Sequence, residues 1–271
     1  MQDEAKEKIT KIANDVIEIL GPYFEEKVYE EAFVHELRLQ NIRYDRQKNI
    51  EIIYKDACIG VRRPDCILYL PCKDGEEEIL LEMKSVSKIE DKHKKQVAVY
   101  LASTKIKRGM ILNFNKKGGI EIEEVTLKEK QKNKSNPAQP NKSKNLKDSL
   151  LTCAQNVLNE LGHEFFYYDK GEEIYIQAIS VELNKLDYKF TSASYPIFYK
   201  GQEIGQFTYE YLFENGDAVK FLSYKKEEEI KEKIEELKTC NKLLKINKAY
   251  LLAIPKSEEL QIIVEEIKQD K

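Results

Sequence analysis

The sequence has no run of about 18 consecutive apolar residues, the length that a membrane-spanning helix needs. Its opening residues, Met-Gln-Asp-Glu-Ala-Lys, are charged from the third position and lack the apolar stretch of a secretory signal. Its five cysteines form no Cys-x-x-Cys pair, and no histidine follows them at zinc-finger spacing, which argues against a zinc site. We therefore expect free thiols in a cytoplasmic protein that has no membrane partner.

A strong excess of one charge is also missing. The 45 Lys and Arg residues nearly balance the 48 Asp and Glu residues, and the formal net charge is −3. Proteins that bind nucleic acid at high capacity usually carry a basic domain or stripe, so this class is disfavoured, while a local basic patch stays open. Apolar residues make up 41% of the chain, which is enough for hydrophobic cores.

Length and one polar segment predict the domain organisation. A chain of 271 residues is expected to form roughly two domains. Residues 128–148 read KEKQKNKSNPAQPNKSKNLKD, and such a segment cannot bury enough apolar surface to offset its ordering entropy. We predict a flexible linker there, between one domain over residues 1–127 and another over residues 149–271.

The two predicted domains share short motifs in the same order. VIEILG parallels VLNELG, EEKVYEEAFVHEL parallels GEEIYIQAISVEL, IIYKDACIG parallels IFYKGQEIG, and RGMILNF parallels KAYLLAI; the pairs begin at residues 16 and 157, 25 and 171, 52 and 197, and 108 and 248. Single matches of this length arise by chance, but four in series are much less expected. We infer a tandem duplication of one fold.

Hydrophobic periodicity predicts the elements of the first copy. Apolar residues at helical spacing indicate helices over 4–20, 25–39 and 89–104. Short apolar runs bounded by turn residues indicate strands over 50–54, 57–61, 66–70, 79–83 and 109–114. The order is α-α-β-β-β-β-α-β, which predicts an α/β fold in which helices flank a mixed sheet.

Two carboxylates and a lysine stand where these strands begin or end. Asp65 follows Pro64 just before one strand, and Glu82-Met83-Lys84 closes an apolar run. Because alternate strand residues share a face, Glu82 and Lys84 are expected on the same side. Hard oxygen ligands suit Mg²⁺ or Mn²⁺, and the lysine would orient the attacking water or balance the charge that develops on phosphorus.

These residues resemble the signature of the PD-(D/E)XK nucleases, here Pro64-Asp65 followed by Glu82-Met83-Lys84. Their surroundings resemble one branch, the GxxExxY family. The corresponding motifs are Gly21-Pro22, Glu26-Lys27-Val28-Tyr29-Glu30, Ala32, Glu36-Leu37, His93-x-x-Gln96-x-x-x-Tyr100-Leu101 and Gly109-Met110-Ile111-Leu112-Asn113-Phe114. The ordered set, from about Ile9 to Phe114, is far more specific than the acidic-x-Lys element alone.

The resemblance implies a restriction-endonuclease-like fold and hydrolysis of phosphodiester bonds with Mg²⁺ or Mn²⁺, with DNA as the default substrate. Asp65 and Glu82 match the metal-binding acids, and Lys84 matches the catalytic lysine. The carbonyl of Met83 matches a further metal ligand, and Glu26 matches an acid that supports the metal. Gln96 and Tyr100 match a QxxxY element; they lie four residues apart, so we expect both to line one cleft.

Ordinary structural roles compete with these assignments when each residue is taken singly. Asp65 could equally be a turn residue, and Glu82 and Lys84 could form an ion pair on the surface. Gln96 could be a polar residue that supports its neighbours, and Tyr100 could be an aromatic residue of the core. Arg62 and Arg63, next to Asp65, are candidate contacts to nucleic-acid phosphates, and a solvated strand edge explains them equally well.

The second copy serves as an internal comparison. Aligning the repeats places Glu210 opposite Asp65, Leu222 opposite Glu82 and Tyr224 opposite Lys84, and residues 218–226 contain no acidic-x-Lys element. We therefore expect a degenerate, catalytically inactive repeat that pairs with the first copy, supports substrate or binds a partner, with a homodimer as another arrangement. A non-catalytic nucleic-acid-binding protein and a protein-interaction scaffold of the same fold remain open alternatives to a nuclease.

Overall fold

The computed structural model describes residues 3–72, 75–115, 117–126, 145–167 and 170–268. The chain divides into two compact units, Met1–Asn133 (unit 1) and Lys134–Lys271 (unit 2). Residues 128–144 of the predicted linker lie outside the described ranges.

Two helices open unit 1 and share one hydrophobic core with its sheet. α1 (Glu4–Leu20) buries Ile9, Ile12 and Val16, and the carboxylate of Asp3 caps it by accepting from the Lys6 amide at 3.1 Å. α2 (Glu26–Leu39) adds aromatic and aliphatic side chains to the same core. Helical spacing predicted both helices to within one residue.

The sheet of unit 1 is mixed and has five strands in the order β1-β4-β5-β6-β7. These strands are β1 (Arg43–Arg46), β4 (Cys66–Cys72), β5 (Gly75–Lys84), β6 (Arg108–Asn115) and β7 (Gly119–Val125), and a separate hairpin contains β2 (Ile50–Tyr54) and β3 (Ala57–Arg62). Only the β5–β6 pair is parallel, because α3 (Asp91–Ala102) connects these two strands. The predicted α/β fold with a mixed sheet between helices is confirmed.

Two strands of unit 1 were missing from the prediction. β1 has the sequence Arg-Tyr-Asp-Arg, and it is held by antiparallel pairing to β4 rather than by an apolar pattern of its own. β7 has the sequence Gly-Ile-Glu-Ile-Glu-Glu-Val, which does alternate, and it forms the opposite edge of the sheet. Edge strands need fewer buried side chains than central strands, so their sequence signal is weaker.

Close packing fixes α3 against the sheet. At Gly109 on β6, an added Cβ would lie 2.4 Å from Cγ1 of Val97 and 3.1 Å from Cδ1 of Leu101. A real Cβ does not approach another carbon so closely, so only glycine allows this helix–strand distance. The approach brings the α3 face that carries Gln96 and Tyr100 against β5 and the segment that precedes β4.

Unit 2 has a similar order of elements, two helices, a group of strands, a third helix and two strands, but the group contains three strands where unit 1 has five. It contains α4 (Leu146–Leu161), a short 3₁₀ helix (Glu164–Tyr167), α5 (Gly171–Lys185), β8 (Phe190–Tyr199), β9 (Gln202–Phe213), β10 (Ala218–Tyr224), α6 (Glu227–Leu244), β11 (Lys248–Pro255) and β12 (Ile263–Lys268). Its sheet runs β8-β9-β10-β11-β12, and β10 and β11 are its parallel pair. Two five-stranded mixed sheets, each flanked by helices, are consistent with the predicted two copies of one nuclease-like fold.

The last residues of the predicted linker belong to this unit. Asn145 caps α4 by accepting from the Lys147 amide at 3.0 Å, and residues 146–148 form the first helical turn. The prediction of linker over 145–148 is therefore corrected, because apolar Leu146 and the Asn cap begin a helix there. Within the described parts of the chain, no helix is long and apolar enough to cross a membrane.

Candidate active site

Asp65 lies in a break between two strands. β3 ends at Arg62 and β4 begins at Cys66, and Pro64 interrupts the ladder because it has no amide hydrogen. The Gln47 amide donates to the backbone carbonyl of Asp65 at 3.0 Å. Oδ2 of Asp65 accepts from the Met83 amide at 2.6 Å, which holds the carboxylate against β5.

Glu82 is a buried carboxylate beside Asp65. The register that pairs Cys66 with Leu81 places Asp65 next to Glu82 at the end of the two strands. The residue is 2% exposed, and its Oε1 accepts from Nε2 of Gln96 at 2.5 Å and from Nζ of Lys84 at 2.9 Å. Among the described residues, its Oε2 is buried and has no hydrogen-bond partner. Burying an unsatisfied carboxylate oxygen costs free energy, so the position favours a cation.

Lys84 connects the acids to the backbone. Its Nζ donates to Oε1 of Glu82 at 2.9 Å, to the carbonyl of Met83 at 2.7 Å and to Oε1 of Glu26 at 3.3 Å. Glu26 is the first residue of α2, and its side chain is half exposed. Each of the three donors of the ammonium thus meets a different acceptor. The contact with Glu82 agrees with the prediction that Glu82 and Lys84 share one side of the strand.

The charges in this cluster perturb one another. Burial raises the pKa of Asp65 to about 6, and the Lys84 charge opposes that change. Burial and then the Asp65 charge raise the pKa of Glu82 to about 8. Burial alone would lower the pKa of Lys84, but the Glu82, Asp65 and Glu26 charges outweigh it and raise that pKa. Three carboxylates around one ammonium leave a deficit of positive charge.

The two predicted α3 residues contact different parts of the site. Gln96 donates directly to Glu82. Tyr100 is buried, and its hydroxyl donates to the carbonyl of Arg63 at 2.8 Å. Tyr100 therefore anchors the segment that leads into Asp65, whereas the expectation was that both side chains would line the cleft.

Arg62 and Arg63, the two residues predicted to contact phosphate, lie where the β2–β3 hairpin ends, just before Asp65. Nε of Arg63 donates to Oδ1 of Asn49 at 2.6 Å, and Nη1 of Arg62 donates to the carbonyl of Val61 at 3.0 Å. Arg63 is exposed and Arg62 is half-buried. Both are close in sequence to Asp65, and these hydrogen bonds run along their own hairpin.

Sequence reasoning missed residues that hold the backbone next to the site in place. Asn113 is fully buried next to Lys84 on β6, and its side chain accepts from the Val86 amide at 2.9 Å and donates to the Val86 carbonyl at 3.1 Å. It thereby fixes the segment that follows Lys84. A polar residue inside the apolar run 109–114 was the available signal, since buried amides need specific partners.

A second missed group is an ion pair next to Asp65. Glu30 is buried, and its Oε1 accepts from Nε of Arg46 at 2.9 Å. Arg46 also forms two hydrogen bonds with Glu31, at 2.6 and 3.0 Å. The Glu30 charge adds to the rise in the pKa of Asp65. His93, in contrast, caps α3 by accepting from the Glu90 amide at 3.0 Å, a structural role.

The register of unit 2 corrects the alignment of the two copies. Val219 pairs with Tyr211 as Leu81 pairs with Cys66, which places Glu210 at the position of Asp65. Oε2 of Glu210 accepts from the Phe221 amide at 2.7 Å, as Asp65 does from the Met83 amide. Counting along β10, Lys220 is at the position of Glu82 and Leu222 at the position of Lys84, so the predicted equivalences of Leu222 and Tyr224 were two residues off.

An ammonium therefore stands in unit 2 where unit 1 has its buried acid. Nζ of Lys220 donates to Oε1 of Glu210 and to the carbonyl of Thr208, both at 2.8 Å. Glu172, at the position of Glu26, accepts from the Ser223 hydroxyl instead of from a lysine at position 222. Glu210, the carboxylate at the position of Asp65, is thus neutralised by Lys220 within the unit.

Comparisons with known proteins bear on unit 1. A family model described as the PD-(D/E)XK nuclease superfamily matches residues 3–125. One matching solved structure, titled "Crystal structure of SSO0001", is 17% identical; the match covers 44% of this chain and 66% of that chain, at a TM-score of 0.24. No curated protein matches the sequence. At so low a TM-score, the family match is the finding that bears on the site.

Proposed function

We propose that unit 1 is a nuclease that hydrolyses phosphodiester bonds of nucleic acid, with DNA as the default substrate, in the presence of Mg²⁺ or Mn²⁺. The match of residues 3–125 to the PD-(D/E)XK nuclease superfamily supports this function class. The observation that carries the proposal is the buried Oε2 of Glu82, which has no partner among the described residues and lies beside a second acid.

The residues present fit a divalent cation. Within the described parts of the chain, no group of three or more His, Cys, Asp or Glu side chains is arranged to hold a metal ion. Two carboxylates and one backbone carbonyl suffice for Mg²⁺, which keeps several waters and takes few protein ligands. Asp65, Glu82 and the carbonyl of Met83 would hold it, with Glu26 in support. A cation there would satisfy Oε2 of Glu82 and offset the clustered negative charge.

The protein residues then have separable tasks. The chemistry that a divalent cation supplies at such a site is a lower pKa of water and neutralisation of charge on the transferring phosphate. Lys84 orients the attacking water and stabilises the negative charge that develops on the phosphate oxygens. Gln96 and Lys84 together hold Oε1 of Glu82, which keeps Oε2 in one orientation. Tyr100 and Asn113 fix the backbone on either side of these groups.

We further propose that unit 2 is a degenerate, inactive copy. Lys220 introduces positive charge at the position of the second acid, and Leu222 removes the catalytic lysine. A divalent cation would have to compete with an ammonium that is already paired with Glu210. The finer assignment of unit 1 to the GxxExxY family rests on the motifs that begin at Gly21, His93 and Gly109.

Location and assembly also remain proposals. All five cysteines are free, which suits the reducing cytoplasm that we propose. Pairing of the two units or a homodimer would give unit 2 a role as a packing partner, and light scattering together with small-angle scattering would measure either arrangement.

The test is cleavage of labelled single- and double-stranded DNA and RNA by the full chain with Mg²⁺ or Mn²⁺. Lys84→Ala and Asp65→Ala are each expected to lower the rate by 100-fold or more, roughly the loss seen when one electrostatic or acid–base group is removed. EDTA should abolish cleavage.

The matched control changes the related pair in unit 2. The double variant Glu210→Gln/Lys220→Met removes both charges together, so neither is left buried and unpaired. It is expected to cleave like the wild type. Metal-dependent cleavage that survives Lys84→Ala but is lost in the unit 2 variant would contradict the assignment of the active unit.

A further inference from the structure

The segment between α1 and α2 carries two exposed aromatic rings. Tyr23 is 91% exposed and Phe24 is 47% exposed. Isolated exposed apolar residues are common, but two adjacent rings on a short connection between helices expose much apolar surface at one place.

The backbone that carries these rings is attached next to the acid cluster, and the Phe24 ring lies edge-on to Tyr29 with centroids 6.4 Å apart. The hydroxyl of Ser85, which directly follows Lys84, donates to the carbonyl of Phe24 at 3.2 Å. Two residues after Phe24, the carboxylate of Glu26 accepts from Nζ of Lys84. The backbone of the aromatic segment is therefore attached to the candidate active site at two points.

The segment is also held rigidly. The hydroxyl of Tyr29 donates to the carbonyl of Gly21 at 2.5 Å and accepts from the Phe24 amide at 3.2 Å. The Tyr29 ring is itself buried and stacked on Phe114, with centroids 4.6 Å apart. Gly21 turns the chain with φ 72°, a left-handed conformation that glycine adopts without strain. Little backbone entropy is left for a ligand to remove in this segment.

Unit 2 provides an internal contrast. Its equivalent glycine, Gly162, has φ 70° and accepts the same hydrogen bond from a tyrosine, Tyr175, at 2.9 Å. There the first two of the four aromatic residues at 165–168 are buried: Phe165 is 4% exposed, and Phe166 is 8% exposed and stacks on Tyr175 at 3.8 Å. These two rings point inward in the unit that lacks the acid pair, whereas Tyr23 and Phe24 are exposed in the unit that has it.

We propose that Tyr23 and Phe24 form a stacking platform for a nucleobase of single-stranded nucleic acid next to the scissile phosphate. This inference rests on the proposed nuclease function. Aromatic faces stack on every base, and a rigid platform adjoining a phosphate-handling site holds a strand without reading its sequence. Bases inside a duplex are already stacked on their neighbours, so the platform selects strands whose bases are unpaired.

Binding and cleavage are measured separately on the full chain. In a Lys84→Ala background, which keeps the strand intact, single strands of DNA and RNA carrying 2-aminopurine are titrated with protein in Mg²⁺, together with the matching duplex. Loss of the base stack through Tyr23→Ala/Phe24→Ala is expected to remove the fluorescence quenching. Single-strand affinity should fall about 5- to 150-fold, the range for one base–aromatic stack, with little change for the duplex.

Leu39→Ala is the matched control. Leu39 is an equally exposed apolar residue at the other end of α2, roughly 20 Å from Glu26 by helix length. Tyr23→Phe keeps the ring and should bind as the wild type does. The same variants with Lys84 restored should show a higher KM for single strands, and the DNA and RNA arms identify which strand the platform holds.

The outcomes separate the two proposals. In one outcome, the wild type cleaves while the double alanine variant binds and cleaves single strands with unchanged affinity and rate. That result would contradict the stacking-platform proposal and leave the nuclease proposal intact. If no strand is bound or cleaved by the wild type, both proposals fall. If the double alanine change converts a dimer to a monomer without weakening strand binding, the rings belong to a contact between copies, which also overturns the platform.

Discussion

Replacing Glu82 with glutamine is expected to stabilise unit 1 when no metal ion is supplied. The carboxylate is buried beside Asp65, and its pKa is raised from 4.5 to about 8. Between about pH 4.5 and pH 8 the folded protein keeps a proton on Glu82 that the unfolded chain has released. The contribution of Glu82 to the free energy of unfolding therefore falls as the pH rises through this range and is constant above it.

The magnitude follows from the raised pKa. The difference corresponds to about 5 kcal/mol of lost stability when Glu82 is fully ionised and to about 3 kcal/mol at pH 7. Glutamine removes this loss and keeps an oxygen that accepts from Lys84; the attraction between the Glu82 charge and Lys84 is already contained in the raised pKa, so no further cost is subtracted. The expected gain at pH 7 is therefore about 3 kcal/mol.

The assay is urea unfolding of the full chain in EDTA between pH 5 and pH 9, followed by the transition that belongs to unit 1. Glu78→Gln is the matched control, because Glu78 is an exposed acid on the same strand, and the same change there should leave the transition unmoved. Added Mn²⁺ should offset this gain at pH 7, stabilising the wild type by about 3 kcal/mol at 100 times its Kd and the variant much less. A Glu82→Gln protein that is less stable than the wild type at pH 8 in EDTA would refute the reasoning.

Two further predictions concern residues that support the site. Gln96→Ala removes a donor to Oε1 of Glu82. It should weaken Mn²⁺ binding about 10- to 100-fold in calorimetry, as is typical when a residue that hydrogen-bonds a metal ligand is removed. Unchanged affinity would show that Lys84 alone orients the Glu82 carboxylate. Gly109→Ala should destabilise unit 1 by about 1–3 kcal/mol in urea unfolding, because the new Cβ meets Val97. Gly205→Ala, where an added Cβ meets nothing within 4 Å, is its control, and equal effects at both glycines would contradict the packing argument.

The sequence contained most of the architecture of unit 1 because its central elements are amphipathic or continuously apolar. The helices and the four strands from 50 to 83 could be predicted to within a few residues, apart from the start of β5. β1 could not, since pairing with β4 holds it and only tertiary structure shows that pairing. The break at Pro64 was visible in the sequence, but its purpose, an acid held on the Met83 amide, was not.

The sequence predicted that Asp65, Glu82 and Lys84 lie together, and the structure brings them together, but their contacts with α3 could not be predicted. Strand alternation placed Glu82 and Lys84 on one side, whereas the link from Gln96 to Glu82 and the link from Tyr100 to Arg63 depend on how closely α3 packs. Glu30 and Asn113 belonged to the recognised motifs, but the sequence around them does not show whether such a residue supports its neighbours or binds a ligand. Such roles follow from distances between elements that are far apart in sequence.

The error in aligning the two copies shows why charge at one register position matters. A sequence match anchored on the strand that begins at residue 248 placed an apolar residue opposite Glu82, whereas strand pairing places Lys220 there. An apolar replacement would leave Glu210 as a half-buried acid with unmet charge, but a lysine neutralises it within the protein. The same position in two related sheets therefore holds a carboxylate with an unpaired oxygen in one and a completed ion pair in the other. On the proposed function, that difference, together with the absence of a lysine at the position of Lys84, would make unit 1 the unit that binds a cation and unit 2 the unit that does not.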